Sequence, residues 1–148
     1  MIGIVDYGMG NLLSVYNAFD YLGEDVKICS YPEELSTVDR IVIPGVGAFK
    51  DCIKLLETKF FIESLNEQVI KKGKPTLGIC LGMQVMAKKS YEFGEFNGLG
   101  WFDAEVIKID HFNQKFKVPN IGWNEIDFKE ENALFQGIDN HSDFYLVH

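Results

Sequence analysis

One cysteine in this chain has neighbours that favour chemistry. Gly78-Ile79-Cys80-Leu81-Gly82 follows an apolar run and precedes a helical pattern. A strand that reverses sharply into a helix strains the backbone of its apex residue and pushes that side chain toward solvent. Glycines two positions away on each side relieve the clashes. A thiol at the apex is a candidate nucleophile, because a helix N-terminus favours thiolate over thiol and its unpaired N–H groups can hold an oxyanion beside the sulfur. The same spacing also suits a small buried Cys80 next to a glycine that lets helix and sheet pack closely. Both readings stand on spacing alone.

The elements that must position Cys80 show in the hydrophobic period. Residues 2–5 read as a buried strand that ends in Asp6 and the turn Tyr7-Gly8-Met9-Gly10-Asn11, with Asn11 as a helix N-cap. Leu12, Val15, Tyr16, Phe19 and Leu22 then share one helical face, closed by Gly23. The Gly8/Gly10 pair suggests a dinucleotide-binding loop, but the third glycine of that fingerprint is missing. Residues 25–29 are a second strand, Pro32 opens a helical turn, and 40–43 are a third strand. The third runs into Pro44-Gly45-Val46-Gly47-Ala48-Phe49, a loop whose amides either point at a ligand or simply turn the chain. Ile53, Leu55 and Leu56, then Phe61, Ile62, Leu65, Val69 and Ile70, form helical faces that end at Lys71-Lys72-Gly73. Residues 74–79 make the fourth strand, and the helix after the elbow is expected to carry Met83, Val85, Met86 and Ala87 to about 88–90, with Met83 and Met86 filling the core. A polar, glycine-punctuated loop over 91–100 precedes strands at 101–109, 115–118, 121–128 and 143–147.

This pattern predicts an α/β fold: a three-layer, mostly parallel open sheet with helices on both faces, flavodoxin-like, and a β-rich second half that continues the sheet. One domain is expected over 1–148. Sites in such sheets form at the carboxyl ends of strands, where Asp6, the 44–49 loop and Cys80 all fall. A composition of 47% hydrophobic and 24% charged residues is that of a globular protein, and a net charge of −8 opposes nucleic-acid and membrane-surface partners. Cys29, Cys52 and Cys80 show neither C-x-x-C nor Cys/His spacing, so no disulfide framework, metal site or cofactor is indicated. A reducing, cytoplasmic setting is expected, and no apolar run is long enough to span a bilayer.

Three motifs carry a resemblance. Pro44-Gly45-Val46-Gly47, Leu77-Gly78-Ile79-Cys80-Leu81-Gly82-Met83-Gln84 and Pro119-Asn120-Ile121-Gly122-Trp123-Asn124 resemble, in that order, signatures of the glutamine amidotransferase subunits of imidazole glycerol phosphate synthase, which are class I, or triad, amidotransferases. Asp6-Tyr7-Gly8-Met9-Gly10-Asn11-Leu12 and Phe144-Tyr145-Leu146-Val147-His148 fit the same family. The resemblance implies that Cys80 attacks the carboxamide of substrate glutamine, forming a glutamyl thioester and releasing ammonia. It implies an oxyanion hole from the Leu81 N–H and the Val46/Gly47 backbone, and glutamine binding by Gln84 and near His148. It places Asn11, Pro119, Trp123 and Asn124 at the contact with a cyclase subunit of (β/α)8 barrel fold, a heterodimer partner through which ammonia passes to its acceptor. Trp123 also reads as a core residue of its strand.

Two departures matter. Asn120 stands where the family commonly has His, and the His-Pro-Glu motif that supplies the family's general base and its orienting acid is absent. His111, His141 and His148 are not followed by Pro-Glu. Because the chain also stops on an apolar strand pattern, the expectation is an N-terminal portion of a longer protein that lacks its closing strands, inactive as written. The alternatives are a paralogue serving cell-surface sugar amination, a non-catalytic partner-binding fragment, or another Cys-elbow α/β protein, hydrolase or chaperone-like.

Overall fold

The computed structural model describes residues 1–109, 118–129 and 132–147, and the chain falls into two compact units, Met1–Lys108 and Ile109–His148. The first unit is built on four parallel strands: β1 (Ile2–Val5), β2 (Val26–Cys29), β3 (Arg40–Ile43) and β4 (Thr76–Gly78), in the order β2-β1-β3-β4. Side chains alternate across a strand, so Val5, Ile41 and Ile43 enter one core while Ile2, Ile4 and Val42 enter the other. Both faces are covered, which is why β1 is apolar and buried at every position.

Helix α1 (Leu12–Tyr21) lays Leu12, Val15, Tyr16 and Phe19 over Ile2, Ile4, Val26 and Val42. The Asn11 side chain accepts the Ser14 N–H at 3.3 Å and caps it, as the sequence suggests. The opposite face is covered by α2 (Phe49–Thr58) and α3 (Phe61–Leu65), which bury Phe49, Cys52, Leu56, Phe61 and Leu65. The helical period over 53–70 hides a break: Phe60 sits in the left-handed region at φ 61° between α2 and α3, and α3 runs on as a π-helical turn over Asn66–Lys71. Helices on both faces of a parallel sheet are the three-layer arrangement expected.

Between β2 and β3, Pro32–Thr37 forms a 3-10 helix whose N-terminus is held by Glu34. Its carboxylate accepts the Ser30 and Tyr31 N–H groups at 2.8 and 3.0 Å and pairs with Lys27 at 2.9 Å. The Lys27 hydrogen bond, then the Tyr31 N–H, hold the Glu34 carboxyl below its ordinary value. A depressed carboxyl stabilises the fold above its unfolded pKa, and that contribution is lost as pH falls through the folded value. Thermal unfolding of Glu34→Gln is therefore expected at lower temperature than the parent near neutral pH, with the two converging in acid below the ordinary glutamate range. A gap that stays constant with pH would reject this role.

The second half departs from expectation. The elbow helix α4 is a single turn, Leu81–Gln84, and the chain passes into β5 (Ala87–Ser90) where a helix was expected to continue. Carbonyls 85–88 are claimed from outside: Val85, Met86, Ala87 and Lys88 accept N–H groups of Leu99, Trp101, Gly100 and Gly98 at 2.8 to 3.1 Å. The 91–100 stretch is thus a pairing segment, including β6 (Phe96–Asn97), and β5 joins β6 antiparallel and β7 (Phe102–Val106) parallel in a sheet of its own. Met86 is buried as expected, but Met83 is 48% exposed. Within the first unit, the described strands after the elbow do not continue the four-stranded sheet.

The second unit is organised by an antiparallel pair, β8 (Ile121–Glu125) with β9 (Asp143–Val147). The predicted 115–118 strand lies outside the described residues except for Val118, which joins Pro119 through a cis peptide.

Candidate active site

Cys80 occupies the apex that its flanking residues predict. Its backbone lies at φ 54°, ψ −117°, a strained region for a residue with a side chain, and the thiol is exposed. Both flanking glycines are there for space. A Cβ on Gly78 would meet the backbone of Met83, and one on Gly82 would strike the Ile43 carbonyl oxygen. The chain can therefore fold back on β4 and lie directly against the end of β3. The buried structural reading of Cys80 is excluded; Cys29 and Cys52 are the buried cysteines.

The 44–47 loop is packed onto that turn. A Cβ on Gly45 would collide with Gly82 N and with Leu81 atoms, so the two segments touch backbone to backbone. The Leu81 side chain is buried, while its N–H finds no acceptor among the described residues. Gly82 N bonds Ile79 O, and Met83 and Gln84 N–H groups bond Cys80 O, so the short helix offers one directed donor rather than a cluster. Val46 is 52% exposed beside Gly47 at φ 92°. Below the loop the Tyr7 hydroxyl donates to Pro44 O at 2.6 Å, and the Cys52 thiol lies 3.3 Å from the same hydroxyl. Burial pushes Tyr7 far above its ordinary value and Cys52 up to about 11, the latter partly offset by the Tyr7 hydrogen bond; both stay neutral at physiological pH.

Beside α4 a cleft of about 510 Å³ is lined by Gln84, Tyr91, Glu92 and Lys108, among others. Glu92 is a residue that sequence reasoning missed. Its carboxylate accepts the Phe49 N–H at 2.7 Å, capping α2 where the loop after β3 ends. The only signal for it in the sequence is that it is one of two acids, Glu92 and Glu95, in a polar loop. Asp6, by contrast, is occupied locally, accepting from Gly8 N and Ser30 Oγ at 3.1 Å each.

The sequence that builds the strand and elbow matches relatives of known family. The model of class-I glutamine amidotransferases covers residues 3–148. Imidazole glycerol phosphate synthase subunit HisH 1 of Campylobacter jejuni (strain RM1221) is 46% identical over 148 residues, all of this chain and 73% of that protein. Subunit HisH of Chlorobium luteolum is 47% identical over 149 residues, covering 100% of this chain and 72% of its own. The chain belongs to the HisH group of class-I glutamine amidotransferases. A crystal structure titled glutamine amidotransferase shares the fold, with a TM-score of 0.69 at 19% identity over 99% of this chain and 70% of that one.

Other residues singled out for this amidotransferase fall in the second unit or outside the described residues. Trp123 is 71% exposed, meeting the Tyr145 ring edge-on at 5.6 Å between centroids, so it is not a core residue of the described unit. Asn124 Nδ2 donates to Gly122 O at 3.1 Å. His141 Nδ1 lies 3.5 Å from Glu125. His148, named for glutamine binding, and His111 lie outside them.

Proposed function

We propose that this chain is the glutaminase subunit of an imidazole glycerol phosphate synthase in histidine biosynthesis. The observation that carries the reading is Cys80 at the strained apex, with the unpaired Leu81 N–H beside it and the 44–47 loop packed onto the turn. The Cys80 sulfur attacks the carboxamide carbon of glutamine. The carbonyl oxygen takes the negative charge, and the Leu81, Val46 and Gly47 backbone stabilises it. Collapse of that intermediate breaks the C–N bond, releasing ammonia and leaving a thioester that water hydrolyses to glutamate.

The cleft suits the other end of the substrate. Free glutamine carries an ammonium and a carboxylate, and Glu92 and Lys108 bring one charge of each sign to the cleft that Gln84 also lines. His148 belongs to the same substrate-binding set. Asn11, Pro119, Trp123 and Asn124 are assigned to a (β/α)8 cyclase partner, through which ammonia reaches its acceptor; an exposed Trp is a residue type suited to anchoring an interface. The family model runs through both units, which supports a single amidotransferase domain over 1–148. Both relatives carry the synthase name, which favours the histidine branch over sugar amination. Three free thiols suit a reducing cytoplasm.

The test is labelling of the protein as its gene encodes it, assembled with its cyclase partner, by a glutamine analogue bearing an electrophilic carbon at the side-chain end. One adduct on Cys80, suppressed by excess glutamine, is the expected result. If Cys80 stays unmodified while Cys29 or Cys52 reacts, or nothing does, the glutaminase reading fails.

A further inference from the structure

We propose that Tyr7 is a positioning residue for the oxyanion loop: its buried hydroxyl, donated to the Pro44 carbonyl, fixes the peptide from which Gly45-Val46-Gly47 presents its amides. The inference rests on the glutaminase reading above.

Gly45 packs against the elbow, but among the described residues the loop is hydrogen-bonded only at its two ends. At one end Pro44 O accepts from Tyr7, immediately after Ile43 O has accepted the Ile79 N–H at 3.0 Å. At the other, Ala48 O accepts the Cys52 N–H at 3.1 Å and Phe49 N donates to Glu92. Among the described residues the backbone groups of Gly45, Val46 and Gly47 make no hydrogen bond. Two glycines in three residues give this span a wide choice of backbone conformations, so the orientation of its end peptides selects among them.

Tyr7 is suited to that task. It is fully buried, as is Pro44, and proline has no N–H of its own to fix the local geometry. A phenol hydroxyl has one proton to donate. With the Cys52 S–H donating to the phenol oxygen, that proton is directed at Pro44 O. The Cys52–Tyr7–Pro44 chain thereby links α2, the end of β1 and the end of β3 under the loop. Without the hydroxyl, Pro44 O is a buried carbonyl with no partner, and it is relieved only by rotation of the peptide that begins the loop.

Tyr7→Phe removes a single oxygen and tests the assignment in the gene-encoded protein assembled with its cyclase partner. The expected result is a kcat for glutamine hydrolysis lower by about tenfold or more, because a displaced oxyanion donor costs transition-state binding specifically. The KM for glutamine is expected to stay within about twofold, since ground-state binding does not use the loop. Alkylation of Cys80 by a haloacetamide forms no carbonyl oxyanion, so its rate is expected to be unchanged. Leu65→Ala, a core truncation away from the loop, controls for lost stability: it should lower Tm at least as much and leave kcat intact well below Tm. Replacement of Tyr7 by 4-aminophenylalanine restores a donor and should recover kcat. The proposal is overturned if Tyr7→Phe keeps the parental kcat, if it loses kcat only as far as Leu65→Ala does, or if the amino analogue is as slow as phenylalanine. Parental protein that neither hydrolyses glutamine nor takes the glutamine-analogue label instead rejects the glutaminase reading, independently of Tyr7.

Discussion

Cys80→Ala is expected to reduce glutamine hydrolysis by a factor on the order of 10⁴ or more, the scale on which enzymes lose activity when a covalent nucleophile is removed. Stability is expected to change little. The side chain is exposed, and alanine inherits the same strained φ of 54°. Cys80→Gly separates the two properties further. It is equally inactive, but glycine tolerates that backbone, so it should be more stable than the alanine variant by about 1 kcal/mol, within the range stored by such outliers. Steady-state ammonia release and denaturant unfolding of the three proteins decide the matter. A glycine variant no more stable than alanine would mean that the apex is not strained, and residual turnover within tenfold of the parent would remove Cys80 from the chemistry.

The second large effect is expected at Gly82, which touches no substrate. No left-handed φ is required there; the residue sits inside α4. What matters is room: an alanine Cβ would lie on the Ile43 carbonyl oxygen, 2.7 Å from Ile43 C and 3.1 Å from Pro44 C. These are backbone atoms of the last residue of β3 and the one after it, which cannot swing aside as a side chain can. Overpacking of this kind costs about 3 kcal/mol. For a chain of this size that is a fall in Tm on the order of 10 °C. The displaced atoms belong to the root of the loop proposed to form the oxyanion hole, so activity measured well below the lowered Tm should fall as well. Full activity with a normal Tm would show that elbow and loop are not in the contact described.

Much of this arrangement was legible because it depends on local chemistry. Short apolar runs marked β1, β2, β3 and β4, Asn11 announced a cap, and the spacing of Gly78, Cys80 and Gly82 pointed to the elbow. What escaped depended on partners far along the chain. The helical pattern over 83–87 is genuine as a pattern, yet carbonyls 85–88 are taken by N–H groups of 98–101, and no propensity of the shorter stretch could reveal that. Tyr7 reads as an ordinary turn residue until Pro44 and Cys52 are found against its hydroxyl. Glu92 is similarly mute in sequence. Trp123 read both as a partner contact and as core, because an aromatic in an alternating run looks the same whether its face is covered or open; within its unit the face is open.

The close approach of Gly82 to Ile43 also bears on how the sheet finds its alignment. β4 pairs with β3 through only three positions, Ile41 with Thr76, Val42 with Leu77 and Ile43 with Gly78, which is little to fix a strand. Only this alignment sets a residue without a side chain against the Ile43 carbonyl. A slip by one position in either direction would drive Leu81 or Met83 into it. The glycines of the elbow therefore act as a gauge for strand pairing, rejecting offset sheets by collision, so that a chain that completes its sheet has also set Cys80 at its apex.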